Sequence, residues 1–255
     1  MVNTRVHHLS EDRFEKRASP HYLYRFLGIE DVTGGAFGAR VIRAVPGGGH
    51  VTDWHAHDDA YSLSYVLKGY MEVDFEAIGH RHFRAGDVIH AWNGPRHREV
   101  GCGDGLEVLH ITAARPLGAV GGPRVVIQHA RDAGYEDGLR DYFVYRDFGL
   151  KEASGGAAVA HAIKVLPGKH PHGQWHTHDL DFQFVYVANG WVEFEYEDIG
   201  HVRLEAGSTV YQPPMIRHAE VAHSDDVQII EFVAPGEFAT ALTDAPAQRM
   251  AAAAT

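Results

Sequence analysis

Two short runs of this chain alternate apolar and charged side chains with a period of two. In MEVDFEA, Met71, Val73 and Phe75 fall on one face and Glu72, Asp74 and Glu76 on the other. In WVEFEYED, Val192, Phe194 and Tyr196 oppose Glu193, Glu195 and Glu197. That is the period of a strand with one face in a core and the other in water. Nearby, ARVIRAVP, YSLSYVLKG and DVIHAW alternate or run apolar between glycines and prolines and read as further strands. Many short strands separated by turn signals predict an all-β sandwich or barrel. Helix is expected only at the ends: a turn or two in LSEDRFEKR near the start, and weak helix or disorder in the tail TDAPAQRMAAAAT.

The pattern recurs. WHAHDDAYSLSYVLKG, Trp54 to Gly69, answers to WHTHDLDFQFVYVANG, Trp175 to Gly190, at an offset of 121 positions. The offset holds without a gap from YRFLGIEDVTGG and YRDFGLKEASGG, through Pro46-Gly47 and Pro167-Gly168, to Arg96-His97 and Arg217-His218. A repeat of this length means two copies of one domain, not a short-period solenoid. The boundaries read as 1–118 for an N-terminal barrel with its arm, 119–139 for a linker, 140–240 for a C-terminal barrel and 241–255 for the Ala-rich tail. Within the linker, RVVIQ reads as a strand that crosses to the neighbouring barrel. The two barrels are expected to pack as a pseudo-dimer, and the chain is a candidate for homodimerisation.

Composition narrows the function. The 45% apolar content is enough for two packed cores. A single cysteine, Cys102, excludes an intramolecular disulfide and any cysteine-based zinc or iron–sulfur site within one chain. The formal charge of −11 argues against a nucleic-acid partner, which needs a basic face. No segment approaches the ~20 apolar residues of a membrane span, so no membrane partner is expected and a cytoplasmic location is the default.

The chain holds 20 histidines, so one H-x-H proves little. Two in register are different. Residues two apart on a strand share a face, so His55 and His57 point together, as do His176 and His178. Imidazole is a common ligand of divalent transition metals. His97 and His218, each in the context R-H-x-E-V, are the natural third ligands from another strand. Glu99 and Glu220, two residues further on, share that face if the strand is regular. Each is then a candidate catalytic base or an anchor for a ligand imidazole; the alternative is a solvent-facing glutamate after a bulge. Gly69 and Gly190 read as hairpin turns, Trp54 and Trp175 as packing residues, and His80 and His201 as surface turn residues.

Both copies resemble the cupin superfamily, and the whole resembles a bicupin: two tandem double-stranded β-helix, or jelly-roll, barrels. Gly49, His55, His57 and Gly69 match the first cupin motif; Gly86 and His97 match the second. In the other copy His176, His178 and Gly190, then Gly207, Pro213 and His218, do the same. The family's glutamate ligand falls at Gln183 in the second copy, where an amide oxygen can replace it, and at Ser62 in the first, which is too short. The first copy is therefore expected to hold three histidine ligands or no metal, and the second to bind more tightly. Trp92 stands in the register of the second-motif proline, and Met215 where the family usually has glycine.

The resemblance implies a divalent transition metal, with ferrous iron expected first and manganese, nickel, zinc or cobalt as alternatives, one per barrel or in the C-terminal barrel only. A neutral glutamine ligand leaves the ion close to its full +2, which favours a small substrate that binds as an anion. A non-haem dioxygenase acting on a small oxygenated or aromatic compound, such as a diketone, catechol or flavonol, is the leading expectation. A redox-neutral cyclase, isomerase or lyase and a non-catalytic binding or storage bicupin are the alternatives, because fold alone does not choose among them.

Overall fold

The computed structural model describes residues 3–9, 14–17, 19–47, 51–119, 121–122 and 124–246. Gly49 and residues 247–255 of the Ala-rich tail lie outside them. The alternating runs become strands as expected. Val73 and Phe75 are buried, while Asp74 turns outward to Arg98 at 2.8 Å and His80 at 2.9 Å. His80 and His201 sit on the surface inside the strands Gly79–Arg84 and Gly200–Glu205 rather than in turns. Gly69 makes its hairpin at φ +74°, with backbone of Leu106 only 3.0 Å from where a Cβ would stand.

Each half pairs a large and a small antiparallel sheet. In the first half the large sheet runs in the order Arg124–Gln128, Val88–Trp92, Tyr61–Lys68, Glu107–Ala113, Phe37–Ala44, Tyr22–Phe26, Glu15–Lys16. It faces a three-stranded sheet, Gly79–Arg84, Tyr70–Phe75, His97–Cys102. In the second half the large sheet runs Arg5–His7, Thr209–Gln212, Phe182–Asn189, Gln228–Ala234, Val159–Val165, Phe143–Asp147, Glu136–Asp137. It faces a five-stranded sheet that includes His176–His178 and His218–His223.

Helix appears elsewhere than expected. LSEDRFEKR contributes the edge strand Glu15–Lys16, bonded to Leu23 and Tyr24, while its residues 10–13 lie outside the described set. Among the described residues the α-helices are single turns, Ile29–Val32 and Leu150–Ala153, at matching places in the two copies. Each follows a glycine in the left-handed region, Gly28 at φ +67° and Gly149 at φ +72°. Four residues are too few for a helical period to stand out against strand alternation.

The halves exchange strands. Arg124–Gln128, at the start of the second copy, pairs with Val88–Trp92 of the first barrel. Its counterpart Arg5–His7 pairs with Thr209–Gln212 of the second barrel. The exchange covers one edge of each large sheet, which would otherwise present unpaired backbone groups. Two buried arginines repeat the reciprocity: Arg25 donates to the carbonyl of Gly207 at 3.0 Å, and Arg146 to that of Gly86 at 2.7 Å. One apolar core runs through both barrels and contains Trp92, Phe148, Phe182 and Phe232. Phe37 of the first half stacks on Phe182 of the second, with ring centroids 4.0 Å apart. Burial of each such side chain contributes about 1.5–3 kcal/mol. Protease cleavage between Arg115 and Leu139 is therefore expected to leave two fragments that co-elute on native sizing. Two separately eluting folded barrels would contradict the shared core. Among the described residues, no helix is long and apolar enough to cross a membrane.

Candidate metal centres

In the second barrel, His176 and His178 lie on one strand and His218 on its antiparallel neighbour, directly opposite His176. One ring nitrogen from each imidazole lies within 4.8 Å of the others. The outer nitrogens are already engaged. Nδ1 of His176 donates to the carbonyl of Gln174 at 2.8 Å, and Nδ1 of His218 to that of Ile216 at 3.1 Å. Nδ1 of His178 lies 2.8 Å from the Thr240 hydroxyl. A carbonyl can only accept, so for His176 and His218 Nδ1 carries the proton and Nε2 presents a lone pair. Burial, and then the neighbouring imidazoles, lower His218 to about 3; burial likewise lowers His176 to about 4 and depresses His178. Three neutral, oriented imidazoles are the ligating form, so the donor set fits a divalent transition ion.

The first barrel repeats the arrangement with His55, His57 and His97, again within 4.8 Å of one another. Nδ1 of His55 and of His97 donate to the carbonyls of Asp53 and Pro95, each at 2.9 Å. This triad is more open. All three imidazoles are buried in the second barrel, whereas here His57 is exposed and the other two half-buried. The turn before the third histidine is shared despite the sequence departure. Gly94 takes φ +56° and Met215 φ +60°. Gly94 has no alternative, since a Cβ there would meet the His57 carbonyl oxygen at 2.1 Å; Met215 directs its side chain outward and is 53% exposed.

Gln183 lines the same cavity of about 690 Å³ as the second triad. Its amide nitrogen donates to Glu231 Oε1 at 2.8 Å, which leaves the amide oxygen as its free donor atom. The other oxygen of Glu231 lies 2.6 Å from Nε2 of His161. Burial alone would raise the Glu231 carboxyl, but the His161 contact, the Gln183 amide and His178 outweigh it and hold it down to about 2. A carboxylate stands one hydrogen bond behind the neutral Gln183.

Glu220 also lines this cavity and is only 7% exposed. Its Oε2 accepts from the Tyr142 hydroxyl at 3.3 Å, and its Oε1 is buried with no hydrogen-bond partner. Burial pushes this carboxyl up to about 8, against the opposing pull of Tyr142 and Arg140. Glu99, in the same sequence context, lies in the first cavity, of about 450 Å³, and is held by Thr52.

Sequence reasoning missed Glu231, His161, Tyr142 and Thr240 in the second barrel and Thr52, Arg40 and His110 in the first. The signal for Glu231 was one charged residue inside the apolar strand QIIEFVA. At the position matching Glu231 the first barrel has His110, bonded to Ser64 at 2.9 Å, and at that of His161 it has Arg40. The acid–histidine pair of one cavity is thus replaced by a histidine and an arginine in the other.

No family model matches the chain, and no curated protein matches it in sequence. Solved structures do match. The formate complex of oxalate decarboxylase from Lactobacillus farciminis superposes with a TM-score of 0.69 at 13% identity, covering 93% of this chain and 88% of that one. The Ylba protein of E. coli gives 0.69 at 14% identity and 92% coverage of each chain. Streptomyces albus HEPD, with 2-hydroxyethylphosphonate and Fe(II) bound, gives 0.67 at 12% identity, covering 92% of this chain and 77% of that one. Together with the repeated jelly-roll sheets, these superpositions show that the chain has the fold of the cupin superfamily, in two tandem copies.

Proposed function

We propose that this chain is a metal-dependent enzyme whose main site is the second barrel, and that it acts as a non-haem dioxygenase on a small oxygenated or aromatic compound bound as an anion. The observation that carries the reading is the buried triad opening on a cavity that also contains Glu220 and Arg140. His176, His178 and His218 would hold the ion, with Gln183 as fourth ligand. A divalent transition ion held there supplies Lewis acidity and, as ferrous iron, redox chemistry with dioxygen.

The chain's own groups do the rest. Arg140, in the cavity wall, offers a positive charge to a substrate carboxylate or enolate. Glu220 can take the proton of a substrate hydroxyl on Oε1, because Tyr142 holds only Oε2. Val185, Phe194 and Phe238 give the cavity an apolar wall, beside which both interactions are stronger than in bulk water. Glu231, itself engaged by His161, holds Gln183 from behind.

A redox-neutral lyase or isomerase is the second reading. Glu220 favours it, since a base poised at a substrate hydroxyl serves proton transfer without any oxidant. Oxygen uptake by the iron-loaded chain, measured with catechols, diketones and small hydroxy and keto acids, separates the two. Uptake coupled to substrate loss is expected. Substrate loss at the same rate under strict anaerobiosis would replace the dioxygenase reading with the second one.

A further inference from the structure

Ser62 occupies the position from which the second barrel offers Gln183, and both line their cavities. A serine hydroxyl is two side-chain bonds shorter in reach, and this alone would leave the first triad with three protein donors. Another carboxylate has come close instead. Oε2 of Glu99 lies 3.9 Å from Nε2 of His55, and Oε1 lies 3.9 Å from Nε2 of His97. These are the two nitrogens left free when Nδ1 of each ring bonds to a backbone carbonyl. Adjacent donors on an octahedral ion with bonds of about 2.1 Å stand roughly 3 Å apart. The carboxylate thus needs to close by about 1 Å towards His55 and His97 to share an ion with them and join the compact cluster of His55, His57 and His97.

We propose that Glu99 is the fourth protein ligand of the first barrel, supplying from the strand after His97 the anionic donor that Ser62 does not. The assignment rests on the reading that this triad binds a divalent ion. Thr52 aims the side chain. Its hydroxyl donates to Glu99 Oε2, and its oxygen accepts from the Glu99 backbone amide at 2.9 Å. The second barrel shows why the same R-H-x-E-V context ends differently. The residue matching Thr52 is Gly173, which has no hydroxyl to offer. Glu220 is bonded by Tyr142 instead, where the first copy has His21. Each barrel therefore brings a fourth donor to its triad by a different route: an amide from the large sheet in the second, a carboxylate from the small sheet in the first. Three imidazoles and a carboxylate form a harder, more negative set than three imidazoles and an amide, suited to Mn(II) or Fe(II) as well as Co(II) and Zn(II).

The test uses the full chain carrying His176→Ala and His178→Ala, so that the first triad is the remaining centre, titrated with Co(II) and with Mn(II). The chain is expected to bind one ion. Glu99→Gln, isosteric and at a partly exposed position, should weaken Co(II) at least tenfold and alter its visible absorption spectrum. Glu99→Asp, which keeps the charge, should recover part of the affinity. Thr52→Val should weaken binding less than Glu99→Gln without removing a ligand band. Unchanged affinity and spectrum in Glu99→Gln, while adding His55→Ala and His57→Ala abolishes binding, would overturn Glu99 as a ligand and leave the triad standing. Binding that survives His55→Ala and His57→Ala would overturn the metal reading of this barrel, and Glu99 with it.

Discussion

Glu220→Gln is expected to lower turnover by roughly 10²–10⁴-fold, the usual contribution of a positioned general base, with metal content unchanged. The amide keeps the shape of the side chain and can still accept from Tyr142, but it cannot take a proton. The position is buried, on the same cavity wall as the triad, and one carboxyl oxygen has no partner. Burial, outweighing the opposing pull of Tyr142 and Arg140, places this carboxyl at about 8. A base works when deprotonated, so the wild-type rate should rise with pH below that value, and a divalent ion at the triad shifts the rise to lower pH. Steady-state rates and metal analysis of wild type and Glu220→Gln are the measurements. Near-wild-type turnover with metal retained would end the role given to Glu220.

Glu231→Ala is expected to cost about 3 kcal/mol in the metal-free chain, at the low end for breaking a buried pair, because the side chain keeps 16% exposure. The substitution strands the Gln183 amide and removes the partner of His161. In a chain of this size each kcal/mol lowers the melting temperature by roughly 2–4 °C. The pH dependence has a definite sign. The Glu231 carboxyl titrates lower in the folded chain, at about 2, than its ordinary value of 4.5. Its contribution is therefore fully present above about pH 4.5 and is lost as pH falls towards 2. Urea denaturation of both proteins at pH 7 and at progressively lower pH should show the difference shrinking below 4.5. A constant difference across that range would mean that the loss reflects packing rather than charge.

How much was legible in the sequence depended on the kind of signal. The H-x-H pairs, the later histidines and the hairpin glycines stood out because each occurs twice in register. The sheets followed from alternation in runs such as MEVDFEA. RVVIQ was legible as a crossing strand, whereas its counterpart Arg5–His7 is three residues long and carries no periodicity. Glu231 was hidden for a different reason. It belongs to the strand that follows His218–His223, outside either histidine motif, and its counterpart is a histidine, so the repeat itself gave no sign of it. The placement of Glu99 and Glu220 was open because their orientation depends on Thr52 and Tyr142, residues distant in the chain. Thr240 lay beside the tail, where a low-complexity composition masks the short strand Thr240–Leu242 that bonds to His176–His178.

The most direct test of metal binding at both triads is elemental analysis of the purified chain after loading with Fe(II) or Mn(II) and removal of excess ion. Wild type is expected to retain one ion per triad, hence two per chain. His176→Ala with His178→Ala, and separately His55→Ala with His57→Ala, should each retain one. A wild-type chain that holds no metal, or double substitutions that leave its metal content unchanged, would contradict both centres.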